Sequence, residues 1–231
     1  MMNVNAIKLP FRFDGKRMKQ ELQSISDSFQ LIKNAYTGNS LVGMHLILPA
    51  KDGAVNEKGE SFYMTDELKK CSYLQEVLNT FQCDKFTFRV QNLLSEGKIG
   101  KHNDGDKGLG SKIVRLNIPV STNDSVYTFY NGERILMENG ECWLPNVTKI
   151  HEMINKSDET RWMLMIDCDL NDWWKEILAD FGVDFSRNSQ FQYYELDDLK
   201  TMKENFLRMG ANVDVKILEE IDNEIAAKLT M

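Results

Sequence analysis

The stretch "KIVRLNIPV", Lys112 to Val120, alternates between aliphatic and polar side chains. Its aliphatic positions are Val114, Leu116, Ile118 and Val120. Arg115 and Asn117 fall on the opposite side. Because successive side chains of a β-strand point to opposite faces, this pattern predicts a strand with one face packed on helices. The other face, which carries Arg115 and Asn117, is expected to line a pocket.

The same period of two recurs on both sides of this stretch. It is present in "KFTFRVQNLL" (Lys85–Leu94) and in "RWMLMIDC" (Arg161–Cys168). Between them, Ser125–Pro145 contains Asn131–Gly132 and Asn139–Gly140, and Asn-Gly between strand-like runs is a strong hairpin signal. Seven or eight short antiparallel strands with tight turns predict a mainly β fold with helices, of the jelly-roll or cupin-like kind.

Helical patterns flank this β region. Asp14 is predicted to cap a helix whose apolar stripe is Met18, Leu22, Ile25, Phe29 and Ile32. Thr65 opens a second helix that reaches Phe81, and "LVGMHLILP" (Leu41–Pro49) between them reads as one strand. We therefore assign residues 1–169 to a β domain with N-terminal flanking helices, and 170–231 to a helical C-terminal extension. The extension is expected to pack on the sheet or against a second subunit, as in a homodimer.

The amino-acid composition argues against several classes of protein. The 231 residues are 42% hydrophobic and 27% charged, with a net charge of −7, which argues against nucleic-acid or membrane-surface partners. The N-terminal residues show neither a signal pattern nor an apolar run long enough to cross a bilayer. The cysteines, at positions 71, 83, 142 and 168, form no C-x-x-C pair. They are expected to be reduced thiols of a cytoplasmic protein.

The stretch "GKIGKHNDGDKG" (Gly97–Gly108) carries the first candidate for chemistry. His102 and Asp104 are two positions apart, so on a strand both side chains reach the same side. His151 follows 49 positions later, a distance that can bring the chain back to a neighbouring strand. Two imidazoles and one carboxylate on one face of an iron ion leave three positions open, as in non-haem Fe(II) oxygenases.

Less specific interpretations of these residues exist. An isolated H-x-D is a weak signal. A calcium loop that starts at Asp104 fails, because Leu109 replaces the required glycine and Arg115 replaces the bidentate glutamate. His45 is expected to be a hydrogen-bonded core histidine. The side chains expected to serve packing are Trp143, Tyr127, Tyr130 and the methionines of "RWMLMID".

Arginines on the inward positions point to carboxylate ligands. Arg161 follows His151 by ten positions and begins an otherwise apolar strand, and a buried guanidinium needs an anion. A ligand carboxylate held by its planar fork would provide one. Arg89, Gln91 and Arg115, on inward positions of their strands, could bind the carboxylate and the amide or ammonium groups of a substrate.

Taken in order, "GKHNDGD", "VRLNIPV", "YNGERILMENGECWLPN" and "HEMINKSDETRWMLMID" resemble the aspartyl/asparaginyl β-hydroxylase family of Fe(II)/2-oxoglutarate dioxygenases, which includes the bacterial proline cis-hydroxylases. The resemblance implies a double-stranded β-helix with His102, Asp104 and His151 as the catalytic iron ligands. It also implies that Arg161 binds the distal carboxylate of 2-oxoglutarate, with ascorbate supporting turnover. Arg115 matches a family arginine near the carboxylates of cosubstrate and substrate.

The chain departs from the family pattern at one position and from the pattern of one family branch at another. Many members have histidine where this chain has Asn117, so the resemblance does not by itself carry the cosubstrate contact over to Asn117. The animal branch lacks the carboxylate ligand, whereas Asp104 is present here. This favours the bacterial small-molecule branch and argues against halogenation.

The expected activity is hydroxylation of an amino acid, an amino-acid derivative or a peptide, with 2-oxoglutarate and O2 converted to succinate and CO2. One alternative is a jelly-roll protein that binds a small molecule without catalysis. Another is a hydroxylase of an Asp, Asn or Pro residue within a protein. A cupin-type enzyme would need H-x-H with a downstream Glu and His, and three histidines do not supply that set.

Overall fold

The computed structural model describes residues 5–50, 61–104, 112–183, 185, 189, 191–192, 194–209 and 214–230. The strands are β1 (Ala6–Arg12), β2 (Gln30–Leu31), β3 (Leu41–His45), β4 (Ile47–Pro49), β5 (Phe62–Met64), β6 (Lys85–Leu93), β7 (Lys98–His102), β8 (Ile113–Ser121), β9 (Val126–Tyr130), β10 (Glu133–Arg134), β11 (Glu141–Pro145), β12 (His151–Asn155) and β13 (Arg161–Asp169). The helices are α1 (Gly15–Ser24), α2 (Asp66–Lys69), α3 (Ser72–Asn79), α4 (Asp172–Ala179), α5 (Leu196–Met209) and α6 (Val215–Leu229). Leu109, which bears on the calcium-loop alternative, lies outside the described residues.

Two large antiparallel sheets enclose a cavity, and β4 pairs with β5 in a separate two-stranded sheet. The larger sheet has the strand order β1-β11-β8-β13-β6-β3-β2, and the smaller has the order β10-β9-β12-β7. From β6 to β13 the chain moves from one sheet to the other at each step, except that β9 and β10 are consecutive in the smaller sheet. This alternation is the double-stranded β-helix, and it confirms the predicted jelly-roll class.

The alternation of β8 separates core from cavity as predicted. All four of its aliphatic side chains are buried in the main core, namely Val114, Leu116, Ile118 and Val120. Helix α1 lies against this face and adds Met18 and Leu22 to the core. Each of these two side chains contributes about 1.5–3 kcal/mol through burial. Arg115 and Asn117 line the cavity on the other side.

The N-terminal helix is shorter than predicted. Asp14 caps it by accepting hydrogen bonds from the backbone N–H groups of Lys16 and Arg17. The helix ends at Ser24, and the chain turns through Ser26–Ser28 into β2, so the stripe expected to reach Ile32 was extended too far. Ser24 and other serines compete for the helix carbonyls, since the Ser24 hydroxyl donates to the carbonyl of Glu21.

The second predicted helix is divided into α2 and α3. Thr65 caps α2 as expected, because its hydroxyl accepts from the N–H of Leu68. The division has a tertiary cause: the carboxylate of Glu21 accepts from the N–H groups of Tyr73 and Leu74, both at 2.9 Å, and so begins a new helix. The stretch Leu41–Pro49 is likewise two strands, β3 and β4, which belong to different sheets.

The two Asn-Gly pairs have different outcomes. Asn131–Gly132 joins β9 to β10 with φ values of 50° and 79°, as a tight hairpin requires. The hairpin expected at Asn139–Gly140 is wrong, because the chain there leaves the smaller sheet and enters β11 of the larger one. Gly140, at φ 80°, donates its N–H to Pro119 and accepts from the N–H of Phe13. The turn therefore holds two distant segments together.

The C-terminal helices differ in where they pack. Trp174 and Leu178 of α4 belong to the main core, and Asn171 caps this helix through the N–H of Trp174. Helices α5 and α6 pack on each other around Leu199 and Ile221. None of the helices in the described ranges has the length and apolar character needed to cross a membrane.

Gly140→Ala is expected to destabilise the protein far more than Gly132→Ala, although both glycines have a positive φ. A Cβ at Gly140 would lie 2.0 Å from the carbonyl oxygen of Phe13, whereas a Cβ at Gly132 would meet no atom within 4 Å. The loss should be about 1–2 kcal/mol for Gly132→Ala and at least about 3 kcal/mol for Gly140→Ala. Urea denaturation of both variants measures this, and equal losses would contradict the packing described here.

Candidate metal centre

Three side chains converge at one end of the cavity, as the sequence predicts. In the register of β7 and β12, His102 lies directly opposite His151, and the two rings are 4.1 Å apart. Asp104 follows the end of β7, and its N–H donates to the carbonyl of Val147 at 2.8 Å. One potential ligand atom from each of the three side chains lies within 4.8 Å of the others. This spacing suits a single metal ion.

The backbone fixes which nitrogen of each imidazole is free. Nδ1 of His102 lies 2.8 Å from the carbonyl oxygen of Gly100, and Nδ1 of His151 lies 2.9 Å from that of Lys149. A carbonyl only accepts, so each Nδ1 carries the proton and each Nε2 keeps its lone pair for a metal. Burial lowers the pKa of His151 to about 4, which keeps this ring neutral.

Aromatic rings hold the two imidazoles in place. The ring of Tyr36 stacks on His102 with centroids 4.7 Å apart, and that of Tyr130 stacks on His151 at 5.3 Å. Tyr130 is buried, and burial raises its pKa to about 12. Tyr130 belongs to a small buried cluster, as expected, but it also lines the cavity and contacts a candidate ligand, which was not expected. Its position after inward-facing Thr128 on β9 was the available signal.

The third candidate ligand, Asp104, is held by an arginine. Arg115 donates from Nη1 to Oδ2 of Asp104, and its Nε and Nη2 bind both oxygens of Asp167, at 2.7 and 2.9 Å. Asp104 can still offer its other oxygen to a metal. The predicted contacts of Arg115 with cosubstrate or substrate carboxylates stay a prediction, because two protein carboxylates already engage its guanidinium. Asp167 is a site residue that the sequence reasoning missed.

Arg161 presents an uncompensated positive charge to the same cavity. It is 3% exposed, and its polar contacts among the described residues are with thioethers: Nη1 lies 2.9 Å from Sδ of Met153, and Nη2 lies 4.0 Å from that of Met163. Its Nε has no hydrogen-bond partner within the described ranges. Burial lowers the pKa of Arg161 to about 10, so it stays protonated at neutral pH. An anionic ligand would complete its contacts.

Asn117 and two methionines also line the cavity. Asn117 donates from Nδ2 to the hydroxyl of Tyr130 at 3.3 Å, and its Oδ1 has no partner in the described part of the chain. Met163 and Met165, expected to be packing residues, line the cavity, and Sδ of Met163 lies 4.0 Å from Nη2 of Arg161. The predicted alternation of β13 is therefore observed, but the sequence did not indicate that its methionine side chains would line the cavity.

The residues proposed for substrate also line the cavity. The whole cavity has a volume of about 930 Å³, and Arg89 and Gln91 project into it from β6. Nε of Arg89 is buried without a hydrogen-bond partner among the described residues, and Nη2 lies 4.0 Å from Oδ2 of Asp167. His45 also lines the cavity, but it is exposed, so its assignment to the core was wrong.

Comparison with known proteins identifies the family. The family model described as aspartyl/asparaginyl β-hydroxylase matches residues 13–170, which is more than half of the chain. The chain belongs to this family. The match includes the three candidate metal ligands and Arg161, and it ends just after β13. A search of curated protein sequences gives no match.

Solved structures with a similar arrangement of strands are distant in sequence. A 2OG-Fe(II) oxygenase-family oxidoreductase from Burkholderia pseudomallei is 13% identical, with a TM-score of 0.46 over 73% of this chain and 85% of that one. A prolyl hydroxylase from Trichoplax adhaerens, solved with a hypoxia inducible factor peptide, is 11% identical, with a TM-score of 0.46 and the same two coverages. A viral collagen prolyl hydroxylase from Paramecium Bursaria Chlorella virus-1 is 10% identical, with a TM-score of 0.45 over 71% of this chain and 95% of that one.

The side chains present in this β-hydroxylase family member suit Fe(II), 2-oxoglutarate and O2. Two imidazoles with free Nε2 atoms and one carboxylate form the two-histidine, one-carboxylate set that leaves adjacent iron positions open. Arg161, with no carboxylate partner among the described residues, suits the far end of a dicarboxylate. The enzyme is therefore a 2-oxoglutarate-dependent oxygenase.

Replacing His151 with alanine is expected to remove metal binding, whereas His45→Ala should leave it intact. His151 offers a ligand atom within the cluster, and His45 lies elsewhere on the cavity wall. Loss of a ligand should weaken Mn(II) or Co(II) binding by more than the roughly 10–100-fold that loss of an outer partner costs. Isothermal titration of both variants tests this. Undiminished binding by His151→Ala would exclude the proposed cluster.

Proposed function

We propose that this enzyme hydroxylates an unactivated C–H bond of a free amino acid, an amino-acid derivative or a peptide. The observation that carries the proposal is the pairing of the His102, Asp104 and His151 cluster with Arg161 in one cavity. Iron(II) with 2-oxoglutarate and O2 supplies the oxidation, in which one oxygen atom enters the substrate while 2-oxoglutarate becomes succinate and CO2.

The chain's own residues would orient the cosubstrate. Arg161 binds the distal carboxylate. Its guanidinium is available for this contact because a thioether, and not a carboxylate, lies against Nη1. Asn117 of the larger sheet donates to the hydroxyl of Tyr130 of the smaller sheet, and the buried Oδ1 of Asn117 lacks a hydrogen-bond partner among the described residues. We propose that Asn117 takes the place that histidine has in many family members.

The substrate would occupy the outer part of the cavity. Arg89 is the candidate for a substrate carboxylate, since burial, followed by the neighbouring charge of Arg115, lowers its pKa and its Nε lacks a partner in the described ranges. Gln91, two positions further along β6, offers an amide to polar groups of the same molecule. A carboxylate beside Arg89 would relieve its repulsion with Arg115.

Two alternatives remain testable within the same framework. A side chain of a protein substrate, such as Asp, Asn or Pro, could enter the cavity from outside, in which case the free amino acid would not react. A protein that only binds a small molecule would bind metal and 2-oxoglutarate without turnover. We also propose a cytoplasmic enzyme without nucleic-acid or membrane partners, and a homodimer through α5 and α6. The net charge of −7 and the four free cysteines support the first two of these.

Succinate release is expected when the purified protein is given iron, ascorbate, 2-oxoglutarate and a panel of amino acids and short peptides. A true substrate should increase succinate formation and yield a product heavier by one oxygen atom in the same amount. Mass spectrometry of both products measures this coupling. Succinate formation that no member of the panel stimulates would contradict the proposed substrate class, and a protein substrate would then be tested.

Arg161→Met is expected to lose 2-oxoglutarate binding while it keeps metal binding. Removing a buried guanidinium that pairs with a carboxylate costs about 2–5 kcal/mol, which is at least about 30-fold in Kd. Arg89→Met is the matched control, because it also replaces a cavity arginine. This control should retain the Kd for 2-oxoglutarate and raise the KM for the amino-acid substrate. Unchanged 2-oxoglutarate affinity in Arg161→Met would overturn the assignment.

A further inference from the structure

Asp167 is a buried carboxylate that pairs with Arg115 and also lies 4.0 Å from Nη2 of Arg89. It is 2% exposed and lies on β13, the strand between β8 and β6 in the larger sheet. Its two oxygens bind Nε and Nη2 of Arg115 in bidentate geometry, at 2.7 and 2.9 Å. Arg115 lies directly opposite Asp167 in the register of β8 and β13. The pair is therefore fixed by the sheet itself.

The remaining donor of Arg115 connects this pair to the metal centre. While Nε and Nη2 face Asp167, Nη1 donates to Oδ2 of Asp104. The planar guanidinium cannot rotate towards Asp104 without breaking the bidentate contact. Asp167 thus determines both the orientation of Arg115 and the direction from which Asp104 is held.

The charges of Arg115 and Asp167 affect how strongly the neighbouring site can bind a metal cation. A guanidinium beside Asp104 competes with a metal for that carboxylate and also repels the metal. In a poorly solvated site such repulsion is stronger than at a surface. Asp167 compensates the charge of Arg115, so Asp104 can share one oxygen with Arg115 and offer the other to the metal.

We propose that Asp167 is a positioning residue that sets the metal affinity of the site by holding and neutralising Arg115. The inference rests on the proposed function, since it requires that His102, Asp104 and His151 hold a metal ion. It assigns Arg115 the support of a metal ligand in addition to, or in place of, any contact with a bound carboxylate.

The test compares Asp167→Asn with Glu141→Gln by titration with Co(II) and Mn(II). Asp167→Asn keeps the shape of the side chain and removes its charge, and it should weaken metal binding about 10- to 100-fold. Glu141→Gln neutralises another buried carboxylate, which pairs with Lys8 and does not line the cavity. This control should stay within about twofold of the parent. The visible spectrum of bound Co(II) should also change only in Asp167→Asn, because a merely structural role would not alter the ligand set.

A double-mutant cycle with Arg115→Gln separates the proposed mechanism from a direct attraction between Asp167 and the metal. Once Arg115 is absent, adding Asp167→Asn should change the metal Kd by no more than about threefold, because the guanidinium that Asp167 holds beside Asp104 is gone. A larger additional loss would overturn the proposal. This comparison also decides the matter if Asp167→Asn alone fails to fold, since the double variant contains neither charge of the pair.

The failure of this inference is distinct from failure of the proposed function. If the parent protein binds no Co(II) or Mn(II), the metal centre itself is wrong. If the parent binds metal through His151 and Asp167→Asn binds it equally well, the metal centre stands and the role of Asp167 is wrong.

Discussion

The structure depends on keeping charged groups between two sheets, largely away from water. Arg89, Arg115 and Arg161 carry three positive charges into this space, against the negative charges of Asp104 and Asp167. Unpaired buried charge is costly, so side chains of this kind persist in a core only when they pair or when a ligand completes them. Arg115 is paired within the protein. Arg161 is not paired with a carboxylate in the described ranges. In the proposed function, Arg115 therefore supports Asp104 and Arg161 binds the cosubstrate.

The two sheets contribute different side chains to the site. The smaller sheet brings His102 and His151 together by direct pairing of β7 with β12, and backbone carbonyls set their tautomers. The larger sheet supplies the arginines, because β6, β8 and β13 are adjacent and each turns its polar positions inward. The arginines follow from the alternation of β6, β8 and β13, whose opposite faces are packed in the main core, whereas the pairing of β7 with β12 is irregular between His151 and Met153. A slip of one residue in β8 would exchange Arg115 with an aliphatic neighbour and destroy the site.

Sequence reasoning succeeded where one strand carries the whole signal. The alternation around Arg89, Arg115 and Arg161 indicated which face of each strand lines the cavity. The spacing of His102 and Asp104 indicated that both side chains could bind the same metal ion. It failed where the local structure is determined by contacts with a distant segment of the chain. Glu21 begins α3 from a different helix, and the Asn139–Gly140 turn crosses between sheets because it bonds to Phe13 and Pro119. Asp167 was missed for the same reason, since its partner is one strand away and 52 positions earlier.

The contact of Arg161 with Met153 has a consequence for how the cavity receives a ligand. A thioether sulfur is a weak acceptor, so the guanidinium lies in place without a strong internal bond that must first be broken. An entering dianion therefore displaces no competing ion pair of Arg161 among the described side chains, and little of its interaction energy goes into rearrangement. In this respect the cavity is preorganised: soft sulfur keeps the cation in place while leaving it free to bind.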